Sequence, residues 1–172
     1  MALILGIDPG SRKTGFGLVD ITGGRACYVT SGVIRVPDTS LAERLKIIFD
    51  SVTQLTGQYV PDQLAIEEVF MGKNASSALK LGQARGAAIT AAAVAGIPVF
   101  EYATRTVKQS VVGQGGADKI QIQHMVKVLL RLPATPQEDA ADALAVALCH
   151  ANTQAQLIKL AGARRFRRGR VV

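Results

Sequence analysis

The chain has 172 residues, 48% hydrophobic and 19% charged, which suits one packed domain and excludes a disordered chain. Its net charge of +7 fits an anionic partner such as nucleic acid, although composition alone does not separate this from ordinary solubility charge. Two cysteines, Cys27 and Cys149, exclude a disulfide framework and a clustered zinc site, and fit a reduced, cytoplasmic protein.

Residues 3–7 form an unbroken apolar run, as in a strand buried on both faces, and Asp8 ends it before Pro9-Gly10-Ser11. No basic stretch precedes it and Asp8 interrupts it, so it reads as a strand rather than a signal peptide. Strands near 15–21 and 26–36 follow, with Gly23-Gly24 turning between them. This predicts an antiparallel meander of three strands. Ser40 and Glu43 stand in capping-box spacing, and Leu41, Leu45, Ile48, Phe49, Val52 and Leu55 then recur at helical spacing. After a turn at Pro61-Asp62, residues 63–70 read as a strand carrying Glu67.

Residues 74–95 read as a helix closed by Gly96. Its face of Leu79, Gly82, Gly86, Ile89 and Ala93 carries two glycines, each costing a helix interior ~1 kcal/mol, which points to close approach of another helix or chain. The alanine-rich stretch 87–95 is too short to span a bilayer, and no membrane segment is expected. A short strand over 99–102 and a glycine-rich link over 113–116 precede an amphipathic helix over 117–132, stopped by Pro133. For the last helix, Thr135 is the expected cap, Pro136 the first helical position and Glu138 the partner in the box. A single domain over 1–152 is expected, followed by a flexible basic tail over 153–172, where five of the seven residues 164–170 are arginine. Three antiparallel strands followed by alternating helix and strand predict an α/β fold, a mixed sheet flanked by helices.

Four carboxylates carry the chemical signal: Asp8, Glu67, Asp139 and Asp142. The first two end apolar runs, and the last two lie three apart at the head of an alanine-rich helix. Acids held together in a basic protein suggest a metal site acting on a polyanion. Magnesium takes hard oxygen ligands, and two such ions ~3.5–4 Å apart activate a water and stabilise the leaving oxygen of a phosphodiester. Other chemistries lack their residues: there is no nucleophile elbow and no Walker A motif, and His124 and His150 have no partner at metal-ligand spacing. Plainer readings stay open. Asp139 and Asp142 also suit the positive end of a helix dipole, and Asp8 suits a turn. The metal reading requires the four acids to converge, which spacing does not show. Phe70 is either a core aromatic or a platform for bases, and Lys108 and Lys119 are either solvated or phosphate contacts.

The segment Gly6-Ile7-Asp8-Pro9-Gly10-Ser11, with Thr14-Gly15-Phe16-Gly17 after it, resembles the opening of the RuvC family of Holliday-junction resolvases. So do Ala65-Ile66-Glu67-Glu68-Val69-Phe70, the stretch from Lys73-Asn74 to Arg85-Gly86, and Asp139-Ala140-Ala141-Asp142-Ala143-Leu144-Ala145. The resemblance covers about residues 1–150, with four blocks in order. It implies an RNase H-like fold with a five-stranded mixed sheet. It implies a homodimer that binds a four-way DNA junction and nicks two strands of like polarity, leaving 5′-phosphate and 3′-hydroxyl ends, in recombination and repair. It implies Asp8, Glu67, Asp139 and Asp142 as ligands of two Mg2+ ions, with Mn2+ as a substitute. It further implies Phe70, Lys108 and Lys119 as DNA contacts, Gly82 and Gly86 on the helix that meets the partner copy, and a RuvA–RuvB branch-migration complex as partner. Three rivals remain at this point: an RNA nuclease of the same fold, an actin-like ATPase or sugar kinase (which needs more chain than 172 residues), and a junction-binding module without activity.

Overall fold

The computed structural model describes residues 2–69 and 75–164. Five strands, β1 (Ala2–Asp8), β2 (Lys13–Thr22), β3 (Arg25–Arg35), β4 (Gln63–Glu67) and β5 (Val99–Tyr102), form one sheet in the order β3-β2-β1-β4-β5. The first three pair antiparallel, while β4 and β5 add in parallel on the other side of β1. The expected five-stranded mixed sheet is therefore present. Among the described residues five helices cover it: α1 (Leu41–Tyr59), α2 (Ala75–Val94), α3 (Thr104–Val112), α4 (Lys119–Leu129) and α5 (Glu138–Arg164). None among the described residues is long and apolar enough to cross a membrane. Cys27 and Cys149 are both free thiols.

Strand alternation sorts the core into two layers. Leu5, Ile7, Leu18, Leu64 and Ile66 pack with Ile48 and Val52 of α1 and the buried alanines of α2. Ile4, Val19 and Ala65 point the other way, towards α3, α4 and α5. By the same period of two, Asp8 follows Ile4 and Gly6 onto the α5 face, and Glu67 follows Ala65.

Helix α5 lies unusually close to that face. A Cβ at Gly6 would stand 2.1 Å from the carbonyl oxygen of Ala143, and one at Gly15 would stand 1.9 Å from that of Asp139. No side chain fits at either position. Opposite them α5 presents small residues, and Ala140, Ala143 and Ala147 are all buried. Glycine on the strands and alanine on the helix together bring the head of α5 against the end of β1.

Several boundaries differ from the sequence reading. Ser40 and Glu43 form the expected capping box at α1. The strand expected to reach residue 70 ends at Glu67, and Phe70 lies outside the described residues. Helix α3 was not anticipated. Helix α4 starts two residues late, at an Asp118–Gln121 capping box, and ends at Leu129 because Arg131 turns left-handed (φ 52°) before Pro133 is reached. Helix α5 begins at Glu138, so Thr135 does not cap it and Pro136 is not its first residue. The Pro136 carbonyl instead accepts from Gln123 Nε2 of α4 (3.0 Å), and the Gln137 carbonyl accepts the first bond of α5 from the Ala141 amide (2.8 Å). At its other end α5 passes residue 152 and continues to Arg164, so the first part of the expected tail is helical.

Candidate active site

The register of β1 on β4 pairs Ile7 with Ile66, which sets Asp8 beside Glu67 one step further along two parallel strands. Their C-terminal ends open into a cavity of about 230 Å3 lined by Asp8, Glu67, Thr104, Lys108, Lys119 and Asp142, with Val107, Ile122 and Ala145 as its floor. Five elements contribute: β1 gives Asp8, β4 gives Glu67, α3 gives Thr104 and Lys108, α4 gives Lys119, and α5 gives Asp142. Asp139 does not line the cavity. It sits in the first turn of α5 beside Glu138, with its carbonyl against Gly15, yet its charge reaches Asp8.

The electrostatics of the cavity are those of acids short of a counterion. Burial, and then repulsion from Glu67, Asp142 and Asp139, pushes Asp8 up to about 8, against the pull of Lys119. Asp142 is pushed up to about 6, first by burial, with Lys119 opposing and the neighbouring acids adding to the rise. Burial also raises Glu67, while the Thr104 hydrogen bond and the charges of Lys108 and Lys119 oppose it. Lys119 is itself engaged. It donates to Glu138 in an exposed ion pair, and that bond raises its pKa.

The donor set fits a hard divalent cation. The polar side chains lining it are three carboxylates, one hydroxyl and the two lysines, and the acids repel one another despite those lysines. Among the described residues, no three His, Cys, Asp or Glu side chains are disposed to hold a single ion together. Magnesium does not need three. It keeps several waters and is commonly held by one or two carboxylates together with substrate phosphates. Asp8, Glu67 and Asp142 line the cavity together and offer such pairs, and Asp139 is near enough for its charge to reach Asp8.

Some participants were not legible in the sequence. Thr104 Oγ1 donates to Glu67 Oε1, and Arg85 Nε donates to the Glu67 carbonyl at 3.1 Å. Glu138, expected only as part of a cap, holds Lys119 in an ion pair. His150, given no role by spacing, is fully buried, with Nδ1 2.7 Å from the Tyr102 hydroxyl and Nε2 2.7 Å from Gln63 Oε1. Burial lowers its pKa, so the neutral ring ties α5 to β4 and β5 as a structural group away from the cavity. Gly82 and Gly86 lie on the exposed side of α2, with open space where a Cβ would stand, beside a shallow groove lined by Val69, Ala78, Leu79 and Gln83.

Residues 4–150 match the family of the crossover junction endodeoxyribonuclease RuvC. The chain belongs to the RuvC family. Among its relatives are the crossover junction endodeoxyribonuclease RuvC of Saccharophagus degradans, 65% identical over 173 residues and all of both chains, and that of Teredinibacter turnerae, 62% identical over the full length of both. Among solved structures, RuvC of Thermus thermophilus in complex with a Holliday-junction substrate is 34% identical, with a TM-score of 0.84 over 91% of this chain and 96% of that one. The protein is therefore a RuvC-type nuclease with the RNase H-like architecture of the resolvases, and a family of this kind works with a divalent metal. Its carboxylate cavity, where buried acids raise one another's pKa, is the candidate for that chemistry.

Proposed function

We propose that the protein resolves Holliday junctions by magnesium-dependent, symmetric nicking of two DNA strands of like polarity, leaving 5′-phosphate and 3′-hydroxyl ends, in homologous recombination and DNA repair. The observation that carries this reading is the convergence of Asp8, Glu67 and Asp142 with Lys108 and Lys119 on one cavity in a RuvC-family chain. The Thermus thermophilus relative, solved with a Holliday-junction substrate, supports the choice of DNA.

Asp8, Glu67 and Asp142 would hold the metal, with Asp139 completing the acidic set nearby. Bound there, Mg2+ (two ions per site, with Mn2+ as a substitute) supplies Lewis acidity towards the scissile phosphodiester. The chain does the rest. Lys108 and Lys119 attract the phosphate and offset charge that develops on it. Lys119 must leave Glu138 or share its charge to do so, and an exposed pair of this kind holds it by only ~1 kcal/mol or less. Val107, Ile122 and Ala145 line the cavity with apolar surface, which strengthens these interactions. Phe70 contacts bases near the junction centre.

The nuclease unit spans residues 1–152, in line with a family match that ends at residue 150, and the arginines beyond it add charge towards DNA. Two copies meet across the face of α2 that bears Gly82 and Gly86, because a two-fold dimer offers two equivalent sites to a two-fold substrate. The protein acts in the cytoplasm, alongside a RuvA–RuvB branch-migration complex. The test is Asp8→Asn on a synthetic four-way junction. The variant is expected to bind the junction like the parent and to nick it at least a thousandfold more slowly, a loss of order 4 kcal/mol in transition-state stabilisation. Parent-like nicking by Asp8→Asn would remove the metal role from this cavity.

A further inference from the structure

Glu67 is gripped at both ends. Its main-chain carbonyl accepts from Arg85 Nε of α2, and one side-chain oxygen, Oε1, accepts from Thr104 Oγ1 at the start of α3. The second bond is informative because of where the hydroxyl sits. A threonine at a helix start ordinarily caps the helix. Here the N-cap is Ala103, which makes no side-chain cap bond, and Thr104 is already the first helical residue. Its hydroxyl is turned instead into the cavity, where Thr104 is one of the lining residues. The local structure of α3 gains nothing from this bond. Glu67 gains a restrained orientation and commits one acceptor site of Oε1 to the threonine.

We propose that Thr104 is a positioning residue that fixes the Glu67 carboxylate so that it presents a single oxygen, Oε2, to the divalent cation. This rests on the reading of the cavity as a divalent-metal site. A freely turning carboxylate chelates with both oxygens or swings away. One oxygen tied to a neutral donor leaves a monodentate ligand of set direction, which suits magnesium's strict octahedral geometry. Partners of this kind, standing behind a metal ligand, typically alter metal affinity by 10–100-fold when removed.

The experiment measures metal binding directly in the DNA-free, full-length protein. Mn2+ is titrated into the parent, Thr104→Val, Thr104→Ala and Thr104→Ser, and bound ion is followed by water-proton relaxation, with Mg2+ competition giving the Mg2+ affinity. Glu67→Gln serves as the control for the site itself. Thr104→Val is expected to weaken binding roughly tenfold, and Thr104→Ser, which keeps the hydroxyl, to stay within about twofold of the parent. In junction nicking, Thr104→Val is expected to raise the half-saturating Mg2+ concentration more than it lowers the rate at saturating metal. Thr104→Ala takes the place of Thr104→Val if the valine variant does not fold. Parent-like affinity in a hydroxyl-free variant while Glu67→Gln is weakened would overturn the role of Thr104 alone. Loss in Thr104→Ser equal to that in Thr104→Val would also overturn it, since the methyl group rather than the hydroxyl would then be responsible. Parent-like binding by Glu67→Gln would instead overturn the metal reading beneath it.

Discussion

Two pairs of glycines stand in opposite surroundings in this molecule. Gly6 and Gly15 lie in the sheet under α5, where any Cβ would collide with a helix backbone at about 2 Å. Gly82 and Gly86 lie on the outer side of α2, where a Cβ would meet nothing. The first pair is explained within one copy of the chain, because it lets α5 bring Asp142 to Asp8 and lays the Asp139 backbone on β2. The second pair is left unexplained by one copy. The face that bears it is the one proposed above to meet a second copy, where a helix-weakening residue would be offset by close approach. A glycine pattern alone does not tell these cases apart; the packing around it does.

The sharpest way to break the contrast is Gly15→Ala. The added methyl cannot fit beside the Asp139 carbonyl, so the head of α5 must move. Destabilisation of about 3 kcal/mol or more is expected in urea unfolding, with nicking reduced on the order of a hundredfold by displacement of the acids. A variant with the parent's unfolding midpoint and rate would show that the close approach is unnecessary.

The same tight packing buries Asp8, and this has a second consequence. The Asp8 carboxyl releases its proton near 4 in the unfolded chain but near 8 in the folded, metal-free protein. Between those values the folded state keeps a proton that the unfolded state gives up. Through Asp8, stability therefore falls as pH rises from about 4 to 8, and it stays reduced above that range. Asp8→Asn lacks this penalty. In a chelating buffer its melting temperature is expected to exceed the parent's by a margin that grows from pH 5 to pH 8. A constant or shrinking margin would show that burial and its acidic neighbours do not raise Asp8.

Metal binding should reverse that strain. With Asp142 near 6 and Asp8 near 8, a cation entering at pH 7 displaces a proton held mainly by Asp8. About one proton per site should be released in calorimetry run in two buffers of different ionisation enthalpy, and affinity should rise from pH 6 to pH 8. Proton-neutral binding would place the ion elsewhere.

The smallest effect belongs to the other glycines. The double variant Gly82→Ala, Gly86→Ala should stabilise α2 by about 1 kcal/mol per site within the monomer, while weakening self-association in sedimentation. Stabilisation with unchanged association would take these glycines out of the partner-facing surface.

Much of the fold was legible because its signals are local. The apolar run ending at Asp8, the Ser40–Glu43 cap and the strand over Val99–Tyr102 need no tertiary context. What escaped was decided at long range. Helix α3 has no capping side chain and is rich in β-branched residues, so neither its start nor its propensity announces it, and Thr104 was missed with it. Thr135 and Pro136 read as a helix start, but Gln123 of α4 takes the Pro136 carbonyl and the helix begins two residues later. The four acids were conspicuous, Asp8 and Glu67 at the ends of apolar runs and Asp139 and Asp142 at the head of an alanine-rich helix. That three of them share one cavity while Asp139 stands beside it follows from the β1–β4 register and from glycines under α5, neither of which spacing reveals.

The most direct test of the central claim is nicking of a synthetic mobile four-way DNA junction by the parent protein, with Mg2+ and with a chelator, beside a linear duplex of the same sequence. Paired nicks on two strands of like polarity, on the junction alone and only with Mg2+, are the expected result. Nicking that survives chelation, or that falls equally on the linear duplex, would contradict it.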